Sequence, residues 1–166
     1  TLHRAIDVSA DPLQTYRDAA ALGIDTVLTS GAAASCVQGV DVLCSLLAER
    51  DRTNGPEVLI GAGVNAGVIR QLSAALPGAR AYHMSGKVEL ESRMVFRREG
   101  VPMGLPGLDE WHIQQTDTAS VRAARQVLDE WFKELVLKTS DSRERTMGSN
   151  PILSAILCEK VNSLSL

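Results

Sequence analysis

The sequence has few cysteines and few aromatic residues, and it lacks the short motifs typical of metal sites. It contains three cysteines in 166 residues, and aromatic side chains make up 4% of the chain. Cys36, Cys44 and Cys158 are scattered and odd in number, which is atypical of a disulfide framework and fits a reducing compartment. Neither CxxC nor HExxH occurs. These absences argue against a domain that is stabilised by several disulfide bonds. They also leave the identity of any metal ligands unknown.

The sequence also lacks an excess of positive charge and a long apolar run. Its formal net charge is −3 and its pI is about 5.6, which argues against a nucleic-acid-binding protein, because such proteins usually carry a basic face. No apolar stretch approaches the ~18 residues of a membrane span. No basic segment followed by an apolar core marks a signal peptide. The composition therefore predicts a soluble cytoplasmic domain with neither nucleic acid nor a membrane as partner.

The sequence alternates between short apolar runs and segments in which apolar residues recur at helical spacing. Each apolar run is typical of a strand, and each is followed by apolar residues on one helical face. Asp11 before Pro12 predicts a helix N-cap, and Asn65 predicts another. The predicted strands are residues 1–6, 24–29, 58–60 and 80–84, and the predicted helices are 12–22, 35–50, 65–76 and 118–137.

Four consecutive βα units predict an α/β fold with a parallel sheet, because each crossover returns the chain to the same end of the sheet. Two architectures remain open at this point. One is an open doubly wound sheet, and the other is a (β/α)8 TIM barrel of which this chain would be about the second half. Both place function at the carboxyl ends of the strands. The predicted domain covers residues 1–137, and the tail 138–166 is either packed or a disordered or non-homologous extension.

The connection between the fourth strand and the last helix is unusually long. It runs from about Lys87 to Thr116 and contains Pro102, Gly104, Pro106 and Gly107. A loop of this length in a compact domain is often functional or mobile. We therefore predict an irregular loop here.

The end of the first predicted strand carries three candidate catalytic residues. A regular strand would point His3 and Arg4 to opposite sides. Arg4 is suited to a buried fork that holds a carboxylate or a phosphate, with Asp7 as its partner or as a general base. An equally supported alternative is a structural Arg–Asp pair that braces the rim of the sheet.

His83 is the fourth candidate catalytic residue. It lies in the apolar run of the fourth predicted strand, with Ser85 two positions later on the same face. A histidine in this setting can serve as an acid/base group or as a metal ligand. A hydrogen-bonded core histidine is an equally supported alternative.

The other strand ends are candidates for ligand binding, because they combine hydroxyl groups with glycine turns. The glycine turn before Asn65 matches the dinucleotide fingerprint only weakly, since no acidic residue ends the next strand. Such a turn before a helix still exposes backbone N–H groups, so we predict a small anionic ligand. The binding candidates are Thr29, Ser30 and Gly31 after the second strand, Gly61 and Gly63 after the third, and Ser85 and Gly86 after the fourth.

The same strand-end segments resemble those of a known family, the CutC copper-homeostasis proteins. Residues 2–7 (LHRAID) resemble the family's FHRAFD segment, and residues 27–31 (VLTSG) resemble its VLTSG segment. Residues 60–64 (IGAGV) are similar to MPGGGI, and residues 82–86 (YHMSG) are similar to FHxSA/G. The order and spacing of the segments agree as well. The resemblance covers residues 1–137 and does not extend into the tail.

The resemblance implies a (β/α)8 barrel of which these are strands 5 to 8. It also implies a cytoplasmic protein, nuclear as well in animals, that handles copper, binds Cu(I) in some members and forms homo-oligomers. The family's proposed copper cysteines lie in the other half of the barrel. One alternative is a TIM-barrel enzyme that acts on a small phosphorylated or carboxylated substrate. Another is a truncation product without function, because half a barrel exposes two sheet edges.

Overall fold

A computed structural model of the chain describes residues 1–98, 100–101, 103–105, 107 and 109–145, with side chains described to residue 137. Its first part is a parallel sheet with connecting helices, and its second part is an antiparallel hairpin followed by a long helix. The strands are β1 (Leu2–His3), β2 (Thr26–Thr29), β3 (Glu57–Ile60), β4 (Ala81–Tyr82), β5 (Lys87–Glu91) and β6 (His112–Thr116). The α-helices are α1 (Pro12–Ala21), α2 (Val40–Thr53), α3 (Ala66–Ala75) and α4 (Thr118–Arg145).

The order of the parallel strands bears on the choice between the two predicted architectures. The sheet runs β1-β2-β3-β4, and every neighbouring pair is parallel. Each strand thus lies beside the strand that precedes it in the chain, as in a barrel. A doubly wound sheet reverses its strand order at one point, and the described strands contain no such reversal. The mixed α/β fold with its parallel sheet is confirmed and is consistent with a TIM-barrel-like fold.

Both predicted N-caps are confirmed. The Asp11 carboxylate accepts hydrogen bonds from the backbone N–H groups of Leu13 and Gln14, each at 3.0 Å, and Pro12 occupies the first turn of α1. The Asn65 side chain accepts from the N–H of Val68 at 3.0 Å and caps α3. Each cap satisfies backbone donors that have no partner inside the helix, which fixes where the helix begins.

The prediction that the second helix starts at Ser35 was wrong, because α2 begins at Val40 and residues 31–39 form turns. The cause is a close backbone approach between Gly31 and Gly39. A Cβ added to Gly31 would lie 2.2 Å from the carbonyl oxygen of Gly39. The segment also donates the N–H of Cys36 to the carbonyl of Ala62 at 3.0 Å, which joins the loops after β2 and β3.

The register of the parallel sheet assigns its side chains to two faces. Val27, Val58 and Ile60 lie on one face, are fully buried, and belong to the core with residues of α2 and α3 such as Leu43 and Leu72. We call this the helix face. One row on the opposite face pairs His3 with Leu28, Leu28 with Leu59, and Leu59 with Ala81. Within this row only Leu28 is buried, and none of its members belongs to the core cluster. We call this the second face.

The first and last parallel strands are shorter than predicted. β1 ends at His3 and gives way to a 3-10 helix over Ala5–Val8, so Arg4 and Asp7 lie beyond the strand. β4 ends at Tyr82, so His83 follows the strand and does not lie within it. The N–H of His83 still donates to the carbonyl of Ile60 at 2.8 Å, which continues the pairing with β3.

The prediction of an irregular loop from Lys87 to Thr116 was wrong, because both of its ends form strands. β5 and β6 pair antiparallel, with Val88 opposite Gln115 and Leu90 opposite Ile113. Apolar and polar residues alternate along β5, which is a strand signal that the prolines and glycines of the connection obscured. Pro102 and Pro106 lie outside the described residues.

Helix α4 extends past its predicted end at Leu137 and reaches Arg145. Its residues Ala124 and Val127 are buried in the core, and the helix packs beside α3. The first residues of the predicted tail therefore continue a helix. Residues 146–166, the remainder of that tail, lie outside the described part of the chain.

Candidate functional site

A hydrogen-bonded carboxylate, that of Asp7, is the centre of the candidate site. Its side chain is only 6% exposed. Oδ1 accepts from the Thr29 hydroxyl at 2.5 Å and from the N–H groups of Ser30 and Ala32 at 3.1 Å each. Oδ2 accepts from Arg4 Nε at 2.7 Å and from the N–H of Ser30 at 3.0 Å. The 3-10 turn after β1 is thus bound to the end of β2 through one side chain.

The hydroxyl groups that end β2 complete this arrangement. Thr29 Oγ1 donates to Asp7 and accepts from the N–H of Gly31 at 2.9 Å. Ser30 Oγ lies 2.7 Å from the carbonyl oxygen of Ala33 and 3.0 Å from Asp7 Oδ2, and its single proton can serve only one of them. Ser30 Oγ also accepts from Arg4 Nη2 at 2.8 Å. Each of the two buried hydroxyl groups therefore has both a hydrogen-bond donor and a hydrogen-bond acceptor as partners.

Arg4 is held in an unusual backbone conformation at the edge of the buried part of the site. Its φ of 24° and ψ of 0° lie outside the regions that side-chain-bearing residues normally adopt. The conformation is maintained by hydrogen bonds from its own N–H to the carbonyl of Leu28 and from the N–H of Asp7 to its carbonyl, each at 3.0 Å. Its side chain is 40% exposed. Strained positions of this kind cluster at functional sites.

The electrostatics of the site favour an ionised Asp7 at neutral pH. Burial raises the pKa of its carboxyl group, but hydrogen bonds from Thr29, Arg4, Ser30 and Ala32 together outweigh burial and hold the pKa below its usual value of 3.8. A carboxylate with a lowered pKa and this many donors is a poor proton acceptor at neutral pH. The geometry therefore favours a role for Asp7 in positioning Arg4.

The two candidate histidines lie on the second face but at opposite edges of the parallel sheet. His3 is on β1 and His83 follows β4, and both are exposed. Three strand spacings separate the edge strands, about 14 Å along the sheet at ~4.8 Å per spacing. The sheet thus places both histidines at its carboxyl end without bringing them into contact.

The glycine candidates have different surroundings. Gly61 lies between neighbouring strands, and a Cβ there would be 2.8 Å from the Leu28 side chain and 3.8 Å from His83 Cβ. Gly63 has a φ of 84° in the turn before α3, close to Ser35. Gly86, with a φ of 55°, accepts from the N–H of Asp117 and joins the sheet to the hairpin and α4.

Ser85 is exposed, and its carbonyl accepts from the Thr116 hydroxyl at 3.3 Å. Together with Gly86 it therefore belongs to the junction with β6. Among the sequence candidates, the structure brings Arg4, Asp7, Thr29 and Ser30 into one hydrogen-bonded cluster and adds Gly31 through its backbone.

Sequence reasoning missed two members of the cluster, the N–H of Ala32 and the carbonyl of Ala33. Both belong to the backbone of an alanine run, and alanine side chains carry no chemical signal. Gly31 and Ala32 have successive positive φ values of 76° and 55°. The glycine before the run was the only available hint that the backbone turns toward Asp7.

The donor chemistry of the described side chains does not fit a copper site. Cu(I) prefers the sulfur of cysteine and methionine. The thiol of Cys36 is fully buried, and burial raises its pKa and so disfavours the thiolate that binds metals. Met84 packs against the core, whereas Met94 and Met103 are exposed in the connection. In the part of the chain that the structure describes, no three His, Cys, Asp or Glu side chains are grouped for a metal.

Across the described residues, no helix combines the length with the apolar composition that crossing a bilayer requires.

Comparison with known proteins identifies the family. The sequence model of the CutC family matches residues 1–88. The chain belongs to the CutC family. This match contains the whole parallel sheet and every residue of the Arg4–Asp7 cluster, whereas β6 and α4 lie beyond it.

Curated relatives agree with this assignment. A family protein CutC of Chromobacterium violaceum is 41% identical over 130 residues, which are 78% of this chain and 51% of the relative. One of Xanthomonas campestris is 40% identical over 77% of this chain and 50% of the relative, and one of Klebsiella pneumoniae is 33% identical over 79% and 51%. The chain thus spans about half the length of the curated relatives it matches.

Proposed function

We propose that this protein acts in copper homeostasis in the cytoplasm, and in animal cells also in the nucleus. The observation that carries the proposal is membership of the CutC family, through a match that spans the parallel sheet and its strand ends. The working site in this proposal is the carboxyl edge of the sheet. It consists of the cluster around Asp7, with His3 and His83 at the two edge strands and the glycine turns between them.

We further propose that the parallel sheet is the carboxyl-terminal half of a (β/α)8 barrel. Three observations support this reading. The strands are parallel and in sequential order, and the chain spans about half of its relatives. The second face of the sheet also lies outside the core cluster, although parallel sheets are normally covered on both faces. Four further βα units would cover this face and pair with the edge strands β1 and β4.

Copper ligation in this proposal needs donors beyond the described side chains, because those do not form a suitable group. A homo-oligomer is one source of such donors. Among the described residues, β1 and β4 are edge strands with one unpaired side, and the second face is incompletely covered. Both features support association, since unpaired edges and apolar surface favour pairing with another chain.

A competition titration tests the copper proposal. Purified protein is titrated with Cu(I) in the presence of a competing chelator, and the oligomeric state is followed by size-exclusion chromatography with light scattering. Because Cys44 is disulfide-bonded in the structure, the protein is first reduced. We then expect sub-micromolar binding that is lost when Cys36, Cys44 and Cys158 are all replaced by serine. A His3→Ala and His83→Ala double variant is the matched control for ligation by nitrogen.

Two results would count against copper handling by this chain. One is the absence of Cu(I) binding by folded protein, and the other is equal binding by the cysteine-free variant and the original chain. Circular dichroism on each variant separates loss of binding from loss of fold.

A second candidate function is a TIM-barrel enzyme acting on a small phosphorylated or carboxylated substrate. The observation that favours it is the Arg4 guanidinium, which is fixed by Asp7 and Ser30 at the carboxyl ends of the strands. In barrel enzymes, substrates bind at this end. Only this second candidate function includes a catalytic role for His3 or His83. Loss of turnover in His3→Ala or His83→Ala tests that role.

A further inference from the structure

We propose that Arg4 is a binding residue for the carboxylate or phosphate group of a small ligand, and that Asp7 is its positioning residue. The proposal deepens the second candidate function, since it rests on the same strand ends and names the group that would be recognised there. It does not depend on copper.

The described side chains bind only one edge of the Arg4 guanidinium. Nε and the adjacent Nη2 form one of the two forks of the group, and they donate to Asp7 at 2.7 Å and to Ser30 at 2.8 Å. The second fork consists of Nη1 and the other proton of Nη2. Within the described part of the chain, no acceptor is bound to Nη1, and the Arg4 side chain is 40% exposed. A free fork of this geometry matches two oxygens of a carboxylate or phosphate.

The Arg4 side chain is held in place by its hydrogen bonds to Asp7 and Ser30. Asp7 is itself held by Thr29, Ser30 and Ala32, so the carboxylate that orients Arg4 is fixed from several sides. A surface arginine normally loses considerable side-chain entropy when it binds an anion. Here that ordering has already taken place on folding, which favours affinity.

The strand-end segments that contain Arg4 and its partners carry little negative charge. Among residues 3–7, 29–35, 61–65 and 83–86, which form the strand ends, Asp7 is the sole acidic residue. Its charge is met by hydroxyl and backbone donors in addition to Arg4. The exposed residues His3 and His83 add no negative charge to this edge. Within these strand-end segments, an anion at the free fork therefore meets one buried carboxylate that is already hydrogen-bonded and no other acidic side chain.

The test measures the binding of two simple probes to the full chain. Inorganic phosphate and succinate are titrated separately while the Nε–Hε resonances of the arginines are followed by NMR. We expect a saturable shift of the Arg4 resonance. Tighter binding of phosphate would assign a phosphorylated ligand, and tighter binding of succinate a carboxylated one.

Arg80 provides the matched control. Its Nε donates to Glu57 at 2.8 Å and its side chain is 56% exposed, but it lies at the amino end of the sheet. We expect Arg4→Gln to weaken binding about ten-fold, as for loss of a charge-assisted bidentate contact, and Arg80→Gln to leave binding unchanged. In Asp7→Asn the Arg4 resonance should broaden and binding should weaken several-fold, while the Arg80 resonance and the circular dichroism spectrum stay unchanged. A general loss of structure would alter all of these.

The proposal is overturned if the Arg4 resonance of the original chain does not shift with either probe. Equal losses in Arg4→Gln and Arg80→Gln would also overturn it, because they would show only general screening of charge. The first readout uses the unaltered protein, so it holds even where a variant fails to fold. Binding at Arg4 without turnover of any phosphorylated or carboxylated substrate would support the binding proposal and contradict the second candidate function, the enzyme.

Discussion

Two arginines at opposite ends of the same parallel sheet form ion pairs with different geometry. Arg4 lies at the carboxyl end, with a side chain that is 40% exposed, and uses one edge of its guanidinium. Arg50 lies at the amino end, with a side chain that is 4% exposed, and uses all three of its nitrogens. Its partners are Asp51, Glu57 and the carbonyl of Gly78, each within 2.9 Å.

The difference shows that arginine–carboxylate pairs serve two purposes in this fold. The Arg50 cluster joins the end of α2 to the start of β3 and to the turn after α3, and its donors are directed inward. The Arg4 cluster joins two loops, and within the described part of the chain it leaves Nη1 of a partly exposed guanidinium without an acceptor. In βα folds, the amino end of the strands commonly serves stability and the carboxyl end serves function. The two clusters follow this division.

The largest expected effect separates the two arginines by stability. We expect Arg50→Met to lower the free energy of unfolding by about 4 kcal/mol, because the guanidinium is buried and its loss leaves Asp51, Glu57 and the Gly78 carbonyl without their common partner. Arg4→Met should cost about 1 kcal/mol, since the pair is partly solvated and Asp7 keeps its other donors. Urea unfolding measures both values. Equal losses would contradict the division between a structural and a functional cluster.

A smaller effect tests how tightly the loop around Asp7 is packed. Gly31→Ala would place a Cβ against the backbone of Gly39 at a positive φ, so we expect a loss of about 3 kcal/mol. Gly63→Ala is the control. Gly63 also has a positive φ, but its nearest neighbour would be Ser35 Cβ at 3.8 Å, so the loss should be about 1 kcal/mol.

Thermal unfolding of Gly31→Ala and Gly63→Ala tests whether tight packing stabilises the loop around Asp7. If Gly31→Ala is no worse than Gly63→Ala, the close approach of Gly31 and Gly39 does not hold the loop, and the rigid anchor around Asp7 loses its support.

The smallest effect is a dependence of stability on acid pH that both ends of the sheet share. At the carboxyl end, the pKa of Asp7 lies below its usual 3.8 despite burial, because of its hydrogen bonds. At the amino end, hydrogen bonds from Arg52 and Arg17 lower the pKa of Glu49 from 4.5 to about 2. A group with a lowered folded pKa stabilises above its unfolded pKa, and this contribution is lost as the pH falls through the folded value.

We therefore expect stability to fall from pH 4.5 toward pH 2. Glu49→Gln should remove the part of the slope that begins near pH 4.5, and Asp7→Asn the part that begins near pH 3.8. The check is the unfolding midpoint as a function of pH for the three proteins. Parallel curves for all three would show that neither carboxylate is stabilised by folding.

The two ends of the sheet differ in how much of their structure could be predicted from the sequence. The strand-end positions of Arg4, Asp7 and Ser30 followed from the order of apolar runs, and the structure brings these residues into contact. Nothing in the local sequence indicated the amino-end cluster, because Arg50, Glu57 and Gly78 belong to different elements and resemble ordinary polar positions. Long-range pairing of this kind depends on how the helices pack on the sheet.

Errors at the level of elements have a similar origin. The turns before α2 were expected to be helical because Ser35 can cap a helix, but the contact between Gly31 and Gly39 selects a different backbone. The hairpin of β5 and β6 was missed because its two strands are separated by a connection rich in proline and glycine. In each case a contact between distant residues overrode the local preference.

The sequence by itself determined the α/β class, the two helix caps, the family and the set of polar groups at the strand ends. These depend on local spacing and on short motifs, which are present in the chain before it folds. Only the tertiary structure decided that Asp7 is saturated by donors, that Arg4 keeps one free fork, and that His3 and His83 are at opposite edges of the sheet. Those properties depend on distances between separate elements, and packing alone sets such distances.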